Sequence, residues 1–461
     1  MAAAAALIDP SFDVDKLSYE IFSILESKFL FGYDEPKLFS SAAASLPETP
    51  TKTPARCAAP AGRVRILSID GGGRAADGIL AAVALSRLEA SLRERSGDPG
   101  SRIADYFDVA AGSGAGGVLA AMLFARGPDG RSMFSVEEAL GFLARNLRRG
   151  ALSGERRRVL RGIFRRSSPA GMFRRVFGEA TLRDTVGPVL IPCYDLATGA
   201  PFLFSRADAV EGEGFDFRLR EVCAATCAAA GAAVEMRSVD GRARIAAVGA
   251  GVAMGNPAAA AITHVLNNKR EFPLAAGVEN LLVVSLGCGE AMRVNLSAAA
   301  TPTPTAAPPP AAEMLRIAAE SAADMVDQAV AMAFGHSRTS NYIRIQATKP
   351  FEASKPTTDA KKATRAAEEM LAQRNAESVL FRGKKLSERT NAEKLEWCAV
   401  ELVKEHGRRK TSPIPVVAVK SAGTPRLSSA TVSTVTTSSL ASSTAATPSP
   451  PPSHHRVVDR D

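Results

Sequence analysis

The stretch FDVAAGSGAGGVLAAML, residues 107 to 123, limits what this chain can fold into more than any other. A β-rich apolar run leads into four glycines within six residues, and an uninterrupted apolar run follows. Glycine at that density marks a backbone that turns tightly or meets another backbone closely, so the spacing predicts a strand, a turn and a buried helix. The same order occurs upstream: VRILSID is a short strand, GGGR a turn, and ILAAVALSRLEASLRER a helix with apolar residues at Leu80, Ala84 and Leu88. Two such units point to an α/β fold, a central sheet flanked by helices.

Further strands are predicted at 189–196, 201–205, 244–250 and 280–287, and a later one at NYIRIQA. The α/β domain that holds the early strands spans residues 63–295. Before it, Leu17, Ile21, Leu25 and Phe29 lie four apart in a helix ended by Gly32 and Pro36, so 1–38 reads as a helical N-terminal extension. Residues 39–62, rich in Ser, Ala, Thr and Pro, read as a linker. A Pro/Ala/Thr-rich excursion at 296–312, expected to be mobile, precedes a mostly helical part, 313–410, with helices over Met314 to Phe334 and Ala363 to His406. Residues 411–461 are a Ser/Thr/Pro tail with too little apolar mass to offset the entropy of ordering, and disorder is expected there.

Composition excludes several classes. No cationic segment precedes an apolar run at the N-terminus, which argues against a signal peptide. Ile245 to Thr263 carries no charge over 19 residues, but it is mostly Ala and Gly around Asn256 and Pro257, which suits core and loop rather than a membrane span. The cysteines at 57, 193, 223, 227, 288 and 398 fall at no metal or disulfide spacing; small buried thiols in a reducing, cytoplasmic compartment are expected.

The glycine turns admit two chemistries. Gly112, Gly114 and Gly117 satisfy G-x-G-x-x-G, and Gly71, Gly73 and Ala76 its relaxed form. A dinucleotide site also needs an acid at the end of the next strand, about twenty residues on. Glu89 falls within a predicted helix, Asp129 in the turn RGPDGR, and Asp70 would set a like charge against a pyrophosphate. Nucleotide binding is the third reading. The other chemistry is the strand-to-helix elbow that raises a serine above a sheet as G-x-S-x-G, its helix N-terminus aimed at the developing oxyanion. Here the apex is Gly114, flanked by Gly112 and Gly116, with Ser113 one place early.

LSIDGGG, FDVAAGSGAGGVLAAML, VGAGVAMGNPAAAAITHVL and LLVVSLGCG resemble, in that order, the blocks of patatin-like lipid acyl hydrolases. LSYEIFSILESKFLFGYDEPKL and MLAQRNAESVLFRGKKLSERTNAEKLEWCAVELVKE extend the likeness toward the plant branch whose elbow reads G-x-G-x-G. The resemblance implies a patatin-type α/β domain and the hydrolysis of fatty-acyl esters of phospholipids or galactolipids, with no cofactor or metal. It places an oxyanion loop on Gly71, Gly72 and Gly73, the catalytic serine on Gly114 and its aspartate partner on Gly249. The arginine and glycine that follow the family's loop fall on Ala75 and Ala76, with Arg74 one place early. Both dyad positions therefore lack a reacting side chain, and a site without hydroxyl or carboxylate forms no acyl-enzyme. Two readings stay open: a glycerolipid acyl hydrolase with a non-standard centre, for which Ser113, Asp70 and Asp77 are the nearest reactive groups, and a catalytically inactive lipid-binding or regulatory protein. His264 and His336 restore no triad and read as structural.

Charge adds a partner. Residues 145 to 175 hold eleven arginines and one acid, Glu155, in a chain of net charge +9. Val159, Leu160, Ile163 and Phe164 share a helical face among Arg156, Arg157, Arg158 and Arg161, and Met172, Phe173, Val176 and Phe177 repeat the pattern. Such a helix suits peripheral contact with an anionic membrane, or else packs its stripe on the domain. No nucleic-acid module accompanies the charge.

Overall fold

A computed structural model describes residues 62–147, 152, 169–228, 233–249, 254–288, 311–346, 359–379, 383–412 and 415–418. The predicted N-terminal helix and linker, the 296–312 excursion up to residue 310, the Ser/Thr/Pro tail beyond residue 418 and the arginines from 148 to 166 lie outside the described residues.

The sheet is built from β1 (Val64–Ile69), β2 (Val109–Gly112), β3 (Val189–Asp195), β4 (Ala200–Ser205), β5 (Val234–Arg237), β6 (Arg244–Gly249), β7 (Leu281–Leu286) and β8 (Tyr342–Ile345). Its order is β5-β6-β3-β2-β1-β7-β8, with β4 beside β3. The centre is parallel: β1 runs between β2 and β7, with Ile69 opposite Gly112 and Leu286. β3 meets β4 and β6 antiparallel. Every residue of β1 and β7 is buried, as expected of parallel strands covered on both faces.

The period-two alternation of β1 divides the core. Leu67 and Ile69 face one layer, which includes α1 (Ile79–Ser96), α2 (Ala115–Phe124), α3 (Val136–Asn146), α4 (Pro169–Phe177) and α5 (Leu219–Thr226). Val64 and Ile66 face the other, under α6 (Ala258–Asn267) and α7 (Ala311–Phe334). α1 ends at Gly97, which takes a left-handed φ of 68°.

The stretch from Ala363 to His406 differs from the single helical region its spacing predicts. It holds α8 (Ala360–Leu371), a hairpin of β9 (Arg374–Val379) and β10 (Gly383–Thr390), and α9 (Asn391–Thr411). A buried side chain explains the difference. The Asn375 amide donates to the Arg344 carbonyl at 2.8 Å while its oxygen accepts the Gln346 amide at 2.8 Å. Asn375 thereby ties β9 to the end of β8, and local polarity carried no sign of that long-range pairing.

The thiols at 193, 223, 227 and 398 are buried and free. On α4, Phe173 and Phe177 are buried in the core, with Met172 and Val176 packed against it. That part of the arginine-rich stretch turns its apolar stripe inward.

Candidate functional site

The two glycine loops lie against each other at the carboxyl ends of β1 and β2. Gly112 closes β2, and Gly114 caps α2 with φ 53° and ψ −126°. A residue other than glycine would be strained at that φ, and the strained strand-to-helix turn is the backbone shape of a nucleophile elbow. The turn at Gly114 therefore has that backbone shape with no side chain at its apex.

The space for one is also filled. A Cβ on Gly114 would run into the Gly72 carbonyl and lie 2.7 Å from that of Gly71. Gly116, in the first turn of α2, presses on the carbonyl of Ile69 in β1 in the same way. Across the contact, the Ala115 amide donates to the Gly72 carbonyl at 2.8 Å. In an elbow that amide, following the nucleophile, ordinarily serves an oxyanion. Here it has a resident partner.

Ser113 is fully buried. Its hydroxyl donates to the Gly255 carbonyl at 3.0 Å and lies 3.3 Å from that of Gly71, and its amide donates to Ile69. It is a satisfied turn hydroxyl in this arrangement.

Gly249 ends β6 opposite Cys193. Its amide donates to the Ala228 carbonyl at 2.6 Å, and a Cβ there would stand 2.6 Å from that oxygen and 2.9 Å from the Thr226 carbonyl. Thr226 lies beside both glycines: its hydroxyl accepts the Gly114 amide at 2.9 Å and donates to the Pro192 carbonyl at 3.0 Å. Glycines 114 and 249 thus meet around one buried threonine. Sequence reading missed Thr226, since a lone threonine in an alanine-rich helix carries no motif.

The first loop is braced at both ends. At its start, buried Asp70 accepts from Arg344 at 2.5 Å. Arg344 also donates to Ser285 at 2.7 Å, and its Nε lies 3.8 Å from Asp327, which accepts the Tyr342 hydroxyl at 2.6 Å. Burial raises the Asp70 carboxyl above the ordinary range, and the guanidinium of Arg344 opposes that rise. The Oδ1 of Asp70 is buried without a hydrogen-bond partner. Nearby, burial pushes the Cys288 thiol up to about 12, with Asp70 and Asp77 adding to it. At the far end of the loop, Asp77 accepts from the Arg74 amide at 3.0 Å and from its guanidinium at 2.6 Å, and it stands directly beside Gly72. The Gly73 carbonyl accepts the Leu152 amide at 2.9 Å.

Other sequence candidates lie elsewhere. Glu89 is buried on α1 and paired with Arg93 at 2.6 Å, so it faces no ribose site. His406 packs on Tyr106, and His336 lies in a short turn after α7. Arg156, Arg157, Arg158 and Arg161 lie outside the described residues. Among the described residues no group of three His, Cys, Asp or Glu is placed to hold a metal, and no helix is long and apolar enough to cross a membrane.

Against known proteins, residues 67–262 match the family described as Patatin-like phospholipase. Patatin-like protein 3 of Oryza sativa subsp. japonica is 58% identical over 406 residues, 86% of this chain and 92% of that protein. Patatin-like protein 6 of Arabidopsis thaliana is 49% identical, over 93% of this chain and 92% of its own length. A third relative, 36% identical over 87% of this chain and 96% of itself, is the Arabidopsis protein named Probable inactive patatin-like protein 9.

Proposed function

We propose, from the premise that this chain belongs to the patatin-like protein family, that it hydrolyses fatty-acyl esters of membrane phospholipids and galactolipids without forming an acyl-enzyme at its elbow. Lipid acyl hydrolysis is the family-level activity, and Gly114 carries the finer reading. The backbone at 114 keeps the strained elbow, while the carbonyls of Gly71 and Gly72 fill the direction in which a serine would project.

With Ser113 bonded inward and Gly249 closed against Ala228, water is left as the attacking group. Asp77, held by Arg74 beside Gly72, is the base in this scheme, and the loop Gly71–Gly73 supplies amides toward the carbonyl oxygen. Water adds its oxygen to the acyl carbon and gives its proton to Asp77. The ester C–O bond breaks, the leaving glycerol oxygen takes that proton, and a fatty acid and a lysolipid result. General-base assistance contributes about 10²–10⁴-fold, so a slower enzyme than a complete dyad is expected. Arg156, Arg157, Arg158 and Arg161 hold the protein to anionic phospholipid at a cytoplasmic membrane face, each cation near the surface contributing about 1 kcal/mol.

The test is fatty-acid release from labelled phosphatidylcholine and monogalactosyldiacylglycerol by the purified full chain. Release that falls at least tenfold in Asp77→Asn, with the variant's unfolding midpoint unchanged, supports the reading. Release unchanged in Asp77→Asn overturns the base.

A second reading, a non-catalytic lipid-binding protein, is favoured by the Gly72–Ala115 bond, which occupies an amide that an oxyanion would use. It predicts no release by the unaltered chain together with co-sedimentation with anionic vesicles.

A further inference from the structure

A hollow of about 680 Å³ opens on the face of the sheet away from α2, between α6, α7, the helix Arg206–Glu211 and Leu203 of β4. Gly71, Gly72 and Gly73 do not line it. Its size falls within the roughly 300–1,000 Å³ usual for small-molecule sites. Leu203, Met254, Ala259, Ala260 and Val326 give it an apolar wall. Its polar lining is His264, Asn267 and Asn268 near the end of α6, Asn256 before its start, and Asp208 and Glu211.

We propose that this hollow is a second lipid site, which takes one fatty-acyl chain ending in an uncharged, hydrogen-bond-donating head, as in a monoacylglycerol, and rejects a free fatty-acid carboxylate. The inference goes beyond the elbow reading and needs no cleavage there.

Three observations carry it. His264 holds its Nε2 buried with no hydrogen-bond partner, and a buried polar atom of that kind is costly until a partner such as a hydroxyl reaches it. Burial lowers the imidazole's affinity for a proton, which disfavours a cation there. The lining contains no lysine or arginine; Glu211 is already paired with Arg270 at 3.2 Å, and Asp208 sets a like charge against a carboxylate head. Leu203, Met254, Ala259, Ala260 and Val326 supply the apolar surface that an acyl chain would cover.

The site also touches the elbow. Gly255, in its lining, accepts the Ser113 hydroxyl at 3.0 Å, so an occupant packs against the segment that anchors the turn.

The experiment is displacement of a fluorescent fatty-acyl probe from the full chain by monooleoylglycerol, oleate and lysophosphatidylcholine. Monooleoylglycerol is expected to bind at least tenfold more tightly than either charged competitor. Ala260→Trp, which fills the hollow, should abolish binding; His264→Phe, which keeps a ring there and removes its nitrogens, should weaken monooleoylglycerol about tenfold and leave oleate unchanged. Binding is read by displacement and hydrolysis by fatty-acid release in the same preparations, so a failed hydrolysis reading and a failed second site are told apart. Unchanged affinity in a folded Ala260→Trp variant, or preference for oleate or lysophosphatidylcholine, would overturn the proposal.

Discussion

The carbonyl of Gly72 accepts the amide of Ala115 at 2.8 Å, so the first glycine loop is fastened to the helix that starts at the second. That bond separates this elbow from an open one, because it uses one of the donors that a helix N-terminus leaves free. It also sets Gly72 where a residue at 114 would put its side chain.

Gly114→Ser is therefore expected to restore no activity. The substitution places a side chain at φ 53° and drives its Cβ into the Gly72 carbonyl. Strain of that kind costs about 1–3 kcal/mol, read as a lower denaturant midpoint with unchanged m. A stable variant with raised ester hydrolysis would show that the loop yields freely.

Ser113→Ala should leave lipid turnover within about twofold of the unaltered chain and cost about 1 kcal/mol for the hydrogen bond to Gly255. Loss of turnover without loss of stability would identify Ser113 as the nucleophile.

Arg344→Met should destabilise far more, by about 3–5 kcal/mol, because it strands the buried Asp70 without its partner. Adding Asp70→Asn should recover part of that loss, as urea unfolding of the single and double variants would measure. A loss under about 1 kcal/mol would mean that the pair does not brace the loop.

What the sequence shows of this fold depends on local pattern. β1 and β2 with their helices are visible in VRILSID and FDVAAGSGAGGVLAAML because apolar strand, glycine turn and apolar helix are each local signals. β9 is not, since Asn375 becomes a strand residue by bonding to the backbone of β8 far away in sequence. In the candidate site, block order is what singles out glycines 71–73, 114 and 249. The reason no side chain fits at 114 or 249 is a set of backbone approaches that only the folded chain contains. Arg344 left a faint sign, a charge inside the apolar run YIRI, whereas Thr226 left none.

Acid should weaken the fold in part through Asp108. Burial alone would raise its carboxyl, but Arg65 at 3.1 Å and Arg409 at 2.6 Å overcome that and hold it below the ordinary value. A depressed carboxylate stabilises the fold at pH values above its unfolded pKa, near 3.9, and that contribution is lost as pH falls through the folded value. Asp108→Asn should be less stable at neutral pH and show a flatter decline below about pH 4. Parallel declines in the two proteins would remove Asp108 from the acid response.

The central claim is that no acyl group ever becomes attached to the elbow. The most direct measurement is acid-quenched incubation of the full chain with radiolabelled phosphatidylcholine, followed by peptide mapping. The expected result is released fatty acid with no label on protein; label recovered on the peptide containing Ser113 would contradict the account.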